Sequence, residues 1–217
     1  MLALALGLLW FGGMPFLIGV VILGGIVFFE FGKLVDGFAK TIIGRLCWKG
    51  FGLLYVSAAV WALWDLRQNH GEGVDGFTTA LSVMAIVWAV DIFAYFTGRA
   101  IGGPKIWPAI SPSKTWSGLL GGIVGASLVF GITFVTTGDG LFALYMVPFF
   151  VLVGTMVAVI AQSGDFFESW MKRRAGVKDS GKLIPGHGGV FDRVDGLLPV
   201  VIAAALILNL LRNAAAG

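Results

Sequence analysis

The chain has 217 residues, of which 58% are hydrophobic and 12% charged, with a net charge of +3 and a mean hydropathy of +0.92. Soluble globular domains carry about 25% charged residues, so a water-soluble fold is excluded. The single cysteine, Cys47, rules out an intrachain disulfide, and one cysteine with two histidines is too small a set for the usual zinc sites.

In chain order, Met1–Gly12 is apolar but lacks the basic n-region and small-residue cleavage site of a signal peptide. It reads as a further short span or half-span. A helix crossing a ~30 Å hydrocarbon core needs roughly 20 apolar residues. Long uncharged runs place spans at 14–31, 51–66, 77–97, 118–137, 141–162 and 196–211. Phe51–Leu66 is short enough to be tilted or re-entrant. Runs this continuous do not show the two-residue alternation of a membrane β-barrel. The expected fold is all-α, a polytopic transmembrane helical bundle of six spans with seven as the rival count, in one membrane domain over residues 1–217. We find no internal repeat and no soluble domain.

Loops 32–50, 98–117 and 163–195 hold four, three and six of the fifteen lysines and arginines, whereas Arg67 and Arg212 fall on the other side. The positive-inside rule puts the basic loops in the cytoplasm. The protein is therefore expected in the inner (cytoplasmic) membrane with its active-site loops facing the cytoplasm. The net charge then reflects topology and anionic substrates or headgroups, not nucleic-acid binding. Asn69–Gly76 with His70 reads as an extra-cytoplasmic turn.

Two acids lie within apolar runs. Asp91, in AIVWAVDIFAYFTGR, sits some seven residues before Gly98. An unpaired carboxylate at a helix centre costs roughly 2.5–3.5 kcal/mol on insertion scales. Tyr95, Thr97 and Arg99 continue a polar route outward, which favours Asp91 as the wall of a polar cavity over an interhelical anchor. Glu30, in VFFEFGKL, stays open between those two roles.

The middle basic loop, GRAIGGPKIWPAISPSKTWSG, holds enough glycine and proline to preclude a long helix, and an irregular backbone is expected. Ser111, Ser113, Lys114 and Thr115 precede the next span. They suit phosphate at a helix N-terminus, yet on this loop alone an ordinary cap with a lysine anchor is the better reading.

The most informative stretch is residues 163–196, with five acids and six lysines or arginines between two apolar runs. Its acids form two pairs at i, i+3, Asp165/Glu168 and Asp192/Asp195, and such pairs share one face of a helix. Lys172 lies one turn beyond Glu168. A glycine-rich turn, Pro185-Gly186-His187-Gly188-Gly189, can bring the two acid pairs together. Oxygen-only ligands of this kind suit Mg²⁺ with substrate phosphates, and Lys172, Arg173, Lys178, Lys182 and Arg193 suit a polyphosphate. His187 is read as a donor to phosphate, with an acid–base role or a simple turn as alternatives. P-loop and zinc-deaminase patterns are missing.

Ser169-Trp-Met-Lys172-Arg173, Lys178-Asp179-Ser-Gly181, Leu183-Ile-Pro185 and His187-Gly188-Gly189-Val-Phe-Asp192-Arg193-Val-Asp195 together resemble the signature of the phosphatidate cytidylyltransferase (CDP-diacylglycerol synthase) family. The likeness extends upstream through GDFFES, ISPSKTWSG, VDIFAYFTGR and FFEFGKL. Ser117 departs from it, standing where the family often has glutamate, and the N-terminus is short and lacks the usual basic start. The resemblance implies transfer of the cytidylyl group of CTP to phosphatidic acid, with CDP-diacylglycerol and pyrophosphate as products. It implies metal ligation by Asp165 and Asp192, then Glu168 and Asp195, with Mg²⁺ and a monovalent K⁺ as the candidate ions. Lys172, Arg173 and Arg193 would hold phosphates, and Ser111, Lys114, Thr115, Ser169, Lys178 and Lys182 would contact substrate. Lipid entering from the bilayer and CTP are the expected partners, and a homodimer is an option. The rivals are a CTP-dependent lipid-alcohol kinase and, outside enzymes, a transporter of an anionic metabolite. The duplicated halves common among transporters are not seen.

Overall fold

The computed structural model describes residues 2–68, 75–137, 145–183 and 188–216. Helix α1 (Leu2–Phe11) has ten residues, about 15 Å at 1.5 Å per residue, and is too short to cross a membrane. The chain turns at Gly12, and Arg67 Nε donates to the Leu9 carbonyl at 2.9 Å, satisfying one of the free carbonyls at the end of α1. Helices α2 (Gly13–Phe38), α3 (Ile42–Gln68), α4 (Gly76–Ala100), α5 (Trp116–Thr137), α6 (Val147–Ala175) and α8 (Leu197–Ala216) follow, with a four-residue α7 (Phe191–Val194) before the last. Among the described residues six helices are long and apolar enough to span, so the count of six stands and α1 is the half-span.

Two expectations need correction. Phe51–Leu66 is part of α3, a full 27-residue helix, not a short or re-entrant segment. The loop over 32–50 shrinks to residues 39–41 because α2 and α3 run on past their apolar stretches. Charged residues there do not end the helices; they bind them to each other. Lys49 Nζ meets Asp36 at 2.9 Å and Arg45 Nε donates to the Ala39 carbonyl at 2.9 Å. Helix α6 likewise continues thirteen residues beyond 162, carrying the first acid pair and Lys172, Arg173 and Arg174 on regular helix.

The middle loop is also more ordered than expected. Strands β1 (Lys105–Trp107) and β2 (Ser111–Thr115) form an antiparallel hairpin, with Lys105 opposite Thr115 and Trp107 opposite Ser111. Gly102, Gly103 and Pro104 lie before β1 and Pro108 lies in the turn, while Pro112 falls in β2 between the paired Ser111 and Thr115, so the breaker-rich segment still pairs.

Up-and-down connection brings the C-terminal ends of α2, α4 and α6 and the N-terminal ends of α3, α5 and α8 to one end of the bundle, with the hairpin and α7 beside them. Beneath that end lies a packed core of Phe31, Val35, Met171 and Phe191. Phe31 ring contacts to Phe51, Phe167 and Phe191 at 6.4, 6.3 and 6.0 Å tie α2, α3, α6 and α7 into one floor. Between α4, α5, α6 and α8 a second core holds Val87, Val90, Ala126, Ala158 and Ala161. Large apolar side chains such as Ile18, Leu54 and Leu128 face outward, as a lipid-facing surface requires.

Candidate active site

On α6, Asp165 and Glu168 project toward the turn that opens α8. A Cβ added at Gly164 would strike the Asp195 carbonyl, and one at Gly196 would lie 2.9 Å from Asp165 Oδ1. This glycine-to-backbone approach sets the 195–196 turn directly on α6 and brings the two acid pairs together. Glu168 is fully buried. Lys172 Nζ, one turn further along, bonds Glu168 Oε2 at 2.6 Å and Asp192 Oδ1 at 2.7 Å, so one ammonium joins the pairs.

The other oxygen of Asp192 is held by backbone and hydroxyl. Asp192 Oδ2 accepts from Ser180 N–H at 3.0 Å, Ser180 Oγ–H at 2.9 Å and Gly189 N–H at 2.8 Å. Burial pushes this carboxyl up, but hydrogen bonding from Glu168, Lys172 and Gly189 outweighs burial and holds it well below the usual carboxylate range. Asp195 goes the other way. Burial raises it, against the pull of Glu168, the Gly196 N–H and the Lys114 and Lys172 ammoniums. The two acids thus differ in proton affinity because one is wrapped in donors and the other is more deeply desolvated.

From the hairpin, Lys114 Nζ forms an ion pair with Asp165 Oδ2 and lies 5.8 Å from the Phe166 ring centroid. Burial lowers the lysine from its ordinary value, opposed by Asp195 and Asp91 and reinforced by Lys172. Asp91, an exposed residue within α4, is in electrostatic reach of Lys114 and Asp195. Its charge therefore bears on the potential around Lys114 and Asp195, and a substitution can separate the cavity-wall role expected from the sequence from that of an interhelical anchor. Asp91→Asn should accordingly cut turnover about tenfold or more while moving the detergent melting point little, because asparagine keeps the hydrogen-bonding capacity and removes the charge. Unchanged turnover would make Asp91 a structural residue.

The remaining sequence candidates are dispersed. Arg173 Nε donates to the Ile110 carbonyl at 3.3 Å and pins the hairpin to α6. Thr115 is buried and its Oγ1 accepts from Gly118 N–H at 3.0 Å, a cap for α5, while Ser111 is buried within the hairpin. Ser117 Oγ donates to the Gly102 carbonyl and lies 3.0 Å from Thr115 Oγ1. Ser169 is next to Glu168 on α6 and so is turned about 100° around the helix. Lys178 and Lys182 line a hollow of about 480 Å³ with Lys33 and Ser180. Arg193 lines an apolar cavity of about 240 Å³ with Val27, Val56 and Trp88. His187 lies outside the described residues. Ser180 and the Gly189 N–H were not singled out from the sequence, although both fall inside the signature.

Carboxylate oxygens are the donor type that a hard divalent cation takes. Glu168 interacts with both Asp192 and Asp195, so three acids adjoin one another, and among the described residues Glu168 Oε1 is buried without a hydrogen-bond partner. Carboxylate oxygens brought together in this way need positive charge between them. Lys172 and Lys114 supply it here, and among the described residues no three acidic, imidazole or thiol groups close on one point as metal ligands.

Residues 44–211 match the model of the cytidylyltransferase family. The chain is 44% identical over 185 residues to a phosphatidate cytidylyltransferase of Brucella abortus, covering 81% of this chain and 63% of that protein. It is 41% identical over 138 residues to one of Haemophilus influenzae, covering 63% and 48%. With one of Thermotoga maritima it shares 39% identity over 140 residues, covering 64% and 52%. The chain thus spans less than two thirds of the length of these relatives.

Proposed function

The chain belongs to the cytidylyltransferase family, and from that premise we propose that it transfers the cytidylyl group of CTP to phosphatidic acid, forming CDP-diacylglycerol and pyrophosphate. The observation that carries the reading is the convergence of Lys114, Asp165, Glu168, Lys172, Asp192 and Asp195 at one end of a helical bundle built to sit in lipid. Thirteen of the fifteen lysines and arginines lie in the segments that make that end, which supports its facing the cytoplasm, where CTP is available.

In the reaction, a phosphate-monoester oxygen of the lipid forms a bond to the α-phosphorus of CTP. The bond from that phosphorus to the oxygen bridging to the β-phosphate breaks, and pyrophosphate leaves with the electron pair. Both reactants are anions, so bringing them together is the main cost, and fixed positive charge is the main remedy. Lys114, on the hairpin, would take a substrate phosphate in exchange for its pairing with Asp165. Lys172 keeps Glu168 and Asp192 in fixed positions through both of its hydrogen bonds. Asp91 and Asp195 set the potential around Lys114. Arg173 acts indirectly, by holding the hairpin on α6. Asp165 and Asp192, with Glu168 and Asp195 beside them, would hold Mg²⁺ with K⁺ as its companion, and the bound charge would help neutralise the phosphates.

A pH dependence follows from Lys114. Its ammonium is lowered in the free protein by burial, and an anionic phosphate would raise it again. A group whose pKa rises on binding supports affinity fully below its free-state pKa and loses that support as pH climbs through it. The KM for CTP should therefore rise with pH below the ordinary lysine range, and Lys114→Ala should raise KM and flatten that dependence. Lys33→Ala should do neither. An equally pH-dependent Lys114→Ala enzyme would return Lys114 to a purely structural role.

Purified protein given phosphatidic acid and CTP labelled at the α-phosphate tests the reaction itself. Label should appear in the lipid fraction. Transfer of γ-label alone would instead identify a lipid-alcohol kinase, and transfer of neither would refute the reading.

A further inference from the structure

Glu30 is 3% exposed in the second half of α2, on a different helix from every group just described. A carboxylate buried that deeply has to be bonded, and among the described residues its bonds all reach the signature segment. Oε1 accepts from Val190 N–H at 3.2 Å. Oε2 accepts from Phe191 N–H at 2.8 Å and lies 3.3 Å from Ser180 Oγ, which also reaches Asp192 Oδ2. The backbone leading into Asp192 and the hydroxyl beside Asp192 thus rest on one side chain from α2.

Two glycines record the same contact. A Cβ at Gly181 would run into Glu30, with Cδ at 2.8 Å, and its three nearest atoms would all belong to that residue. A Cβ at Gly189 would stand 2.7 Å from Glu30 Oε2 as well as striking Ser180 Oγ. Neither glycine has a positive φ, so no backbone conformation calls for glycine there. The approach of the carboxylate does.

We propose that Glu30 is a positioning residue for cytidylyl transfer: its carboxylate fixes the 189–191 backbone and Ser180, and through them the place of Asp192. The proposal rests on the assignment of Asp192 to the reaction. Gln at position 30 keeps the shape but turns one acceptor into a donor, leaving either Val190 N–H or Phe191 N–H facing an amide hydrogen. A residue that merely filled space would tolerate that change.

The test uses full-length purified protein and two readouts. Glu30→Gln should lower kcat about tenfold or more with the KM values for CTP and phosphatidic acid little changed. Hydrogen exchange at Val190 and Phe191 should accelerate while amides in the middle of α6 and α8 stay protected. Gly181→Ala should lose activity and thermal stability, and adding Glu30→Asp, one methylene shorter, should recover part of the stability by relieving the clash. Wild-type kcat and unchanged exchange in Glu30→Gln would overturn the proposal, as would a Gly181→Ala stability defect that Glu30→Asp does not relieve. Should Glu30→Gln not fold, the Gly181→Ala pair decides. If the wild-type protein transfers no cytidylyl group, the functional reading fails, whereas the exchange and melting data still show whether Glu30 holds this segment.

Discussion

Asp192→Asn should lower turnover by about three orders of magnitude, the range seen when a preorganised electrostatic contact is removed from an active site. Asparagine matches the volume of aspartate but carries no charge, and its amide nitrogen must face a donor whichever way it is turned. One side offers Lys172 Nζ, the other Ser180 N–H, Ser180 Oγ–H and Gly189 N–H. Either orientation sets hydrogen against hydrogen, so some loss of melting temperature accompanies the loss of activity. Asp165→Asn is the cleaner companion. Asp165 is paired with Lys114 and packed over Gly196, and its loss should abolish turnover with the fold retained. Near-wild-type turnover in either variant at saturating Mg²⁺ would remove these acids from the reaction.

Lys172→Met should be the most destabilising single change at the site. The ammonium joins Glu168, 1% exposed in its side chain, to Asp192, 12% exposed. Its removal takes the cation away from two desolvated acidic side chains, and breaking a buried pair in this way costs about 3–5 kcal/mol. Because the penalty comes from uncompensated charge and not from lost volume, Lys172→Met/Glu168→Gln should recover most of the melting temperature. Activity should not return, since the arrangement that orients Asp192 is gone. Thermal melts and turnover of the two variants check both halves. A double variant no more stable than the single would mean that Lys172 contributes packing, not charge.

Much of this molecule was legible in its sequence, for reasons that also explain the errors. Apolar runs report where helices meet lipid, so the six spans emerged directly. They do not report where helices end, because Lys33, Asp36, Arg45 and Lys49 can ride on helix that has left the hydrocarbon. That is why α3 looked too short and the 32–50 segment looked like a loop. The Asp165/Glu168 pair and Lys172 on its turn were readable because α6 remains a regular helix through them, whereas Asp192 and Asp195 fall on the short α7 and its C-cap. Lys178, Lys182 and Arg193 looked equivalent to Lys172 in composition, and composition does not report that Lys178 and Lys182 line a hollow sharing Ser180 with the acid cluster or that Arg193 borders an apolar cavity. Glu30 was visible as an anomaly in an apolar run, but its partners lie on the far side of the sequence, where no local pattern could connect them. Thr115 shows the reverse, a residue whose humbler role as a helix cap was the correct local reading.

The most direct measurement uses phosphatidic acid whose phosphate carries heavy oxygen, with purified protein, CTP and Mg²⁺, and follows the isotope by mass spectrometry. Attack by the lipid phosphate on the α-phosphorus predicts that the heavy oxygen stays with the lipid, in the CDP-diacylglycerol formed, and that the pyrophosphate carries none. Heavy oxygen in the pyrophosphate, or a lipid product that has gained a phosphate and no cytidine, would contradict the account.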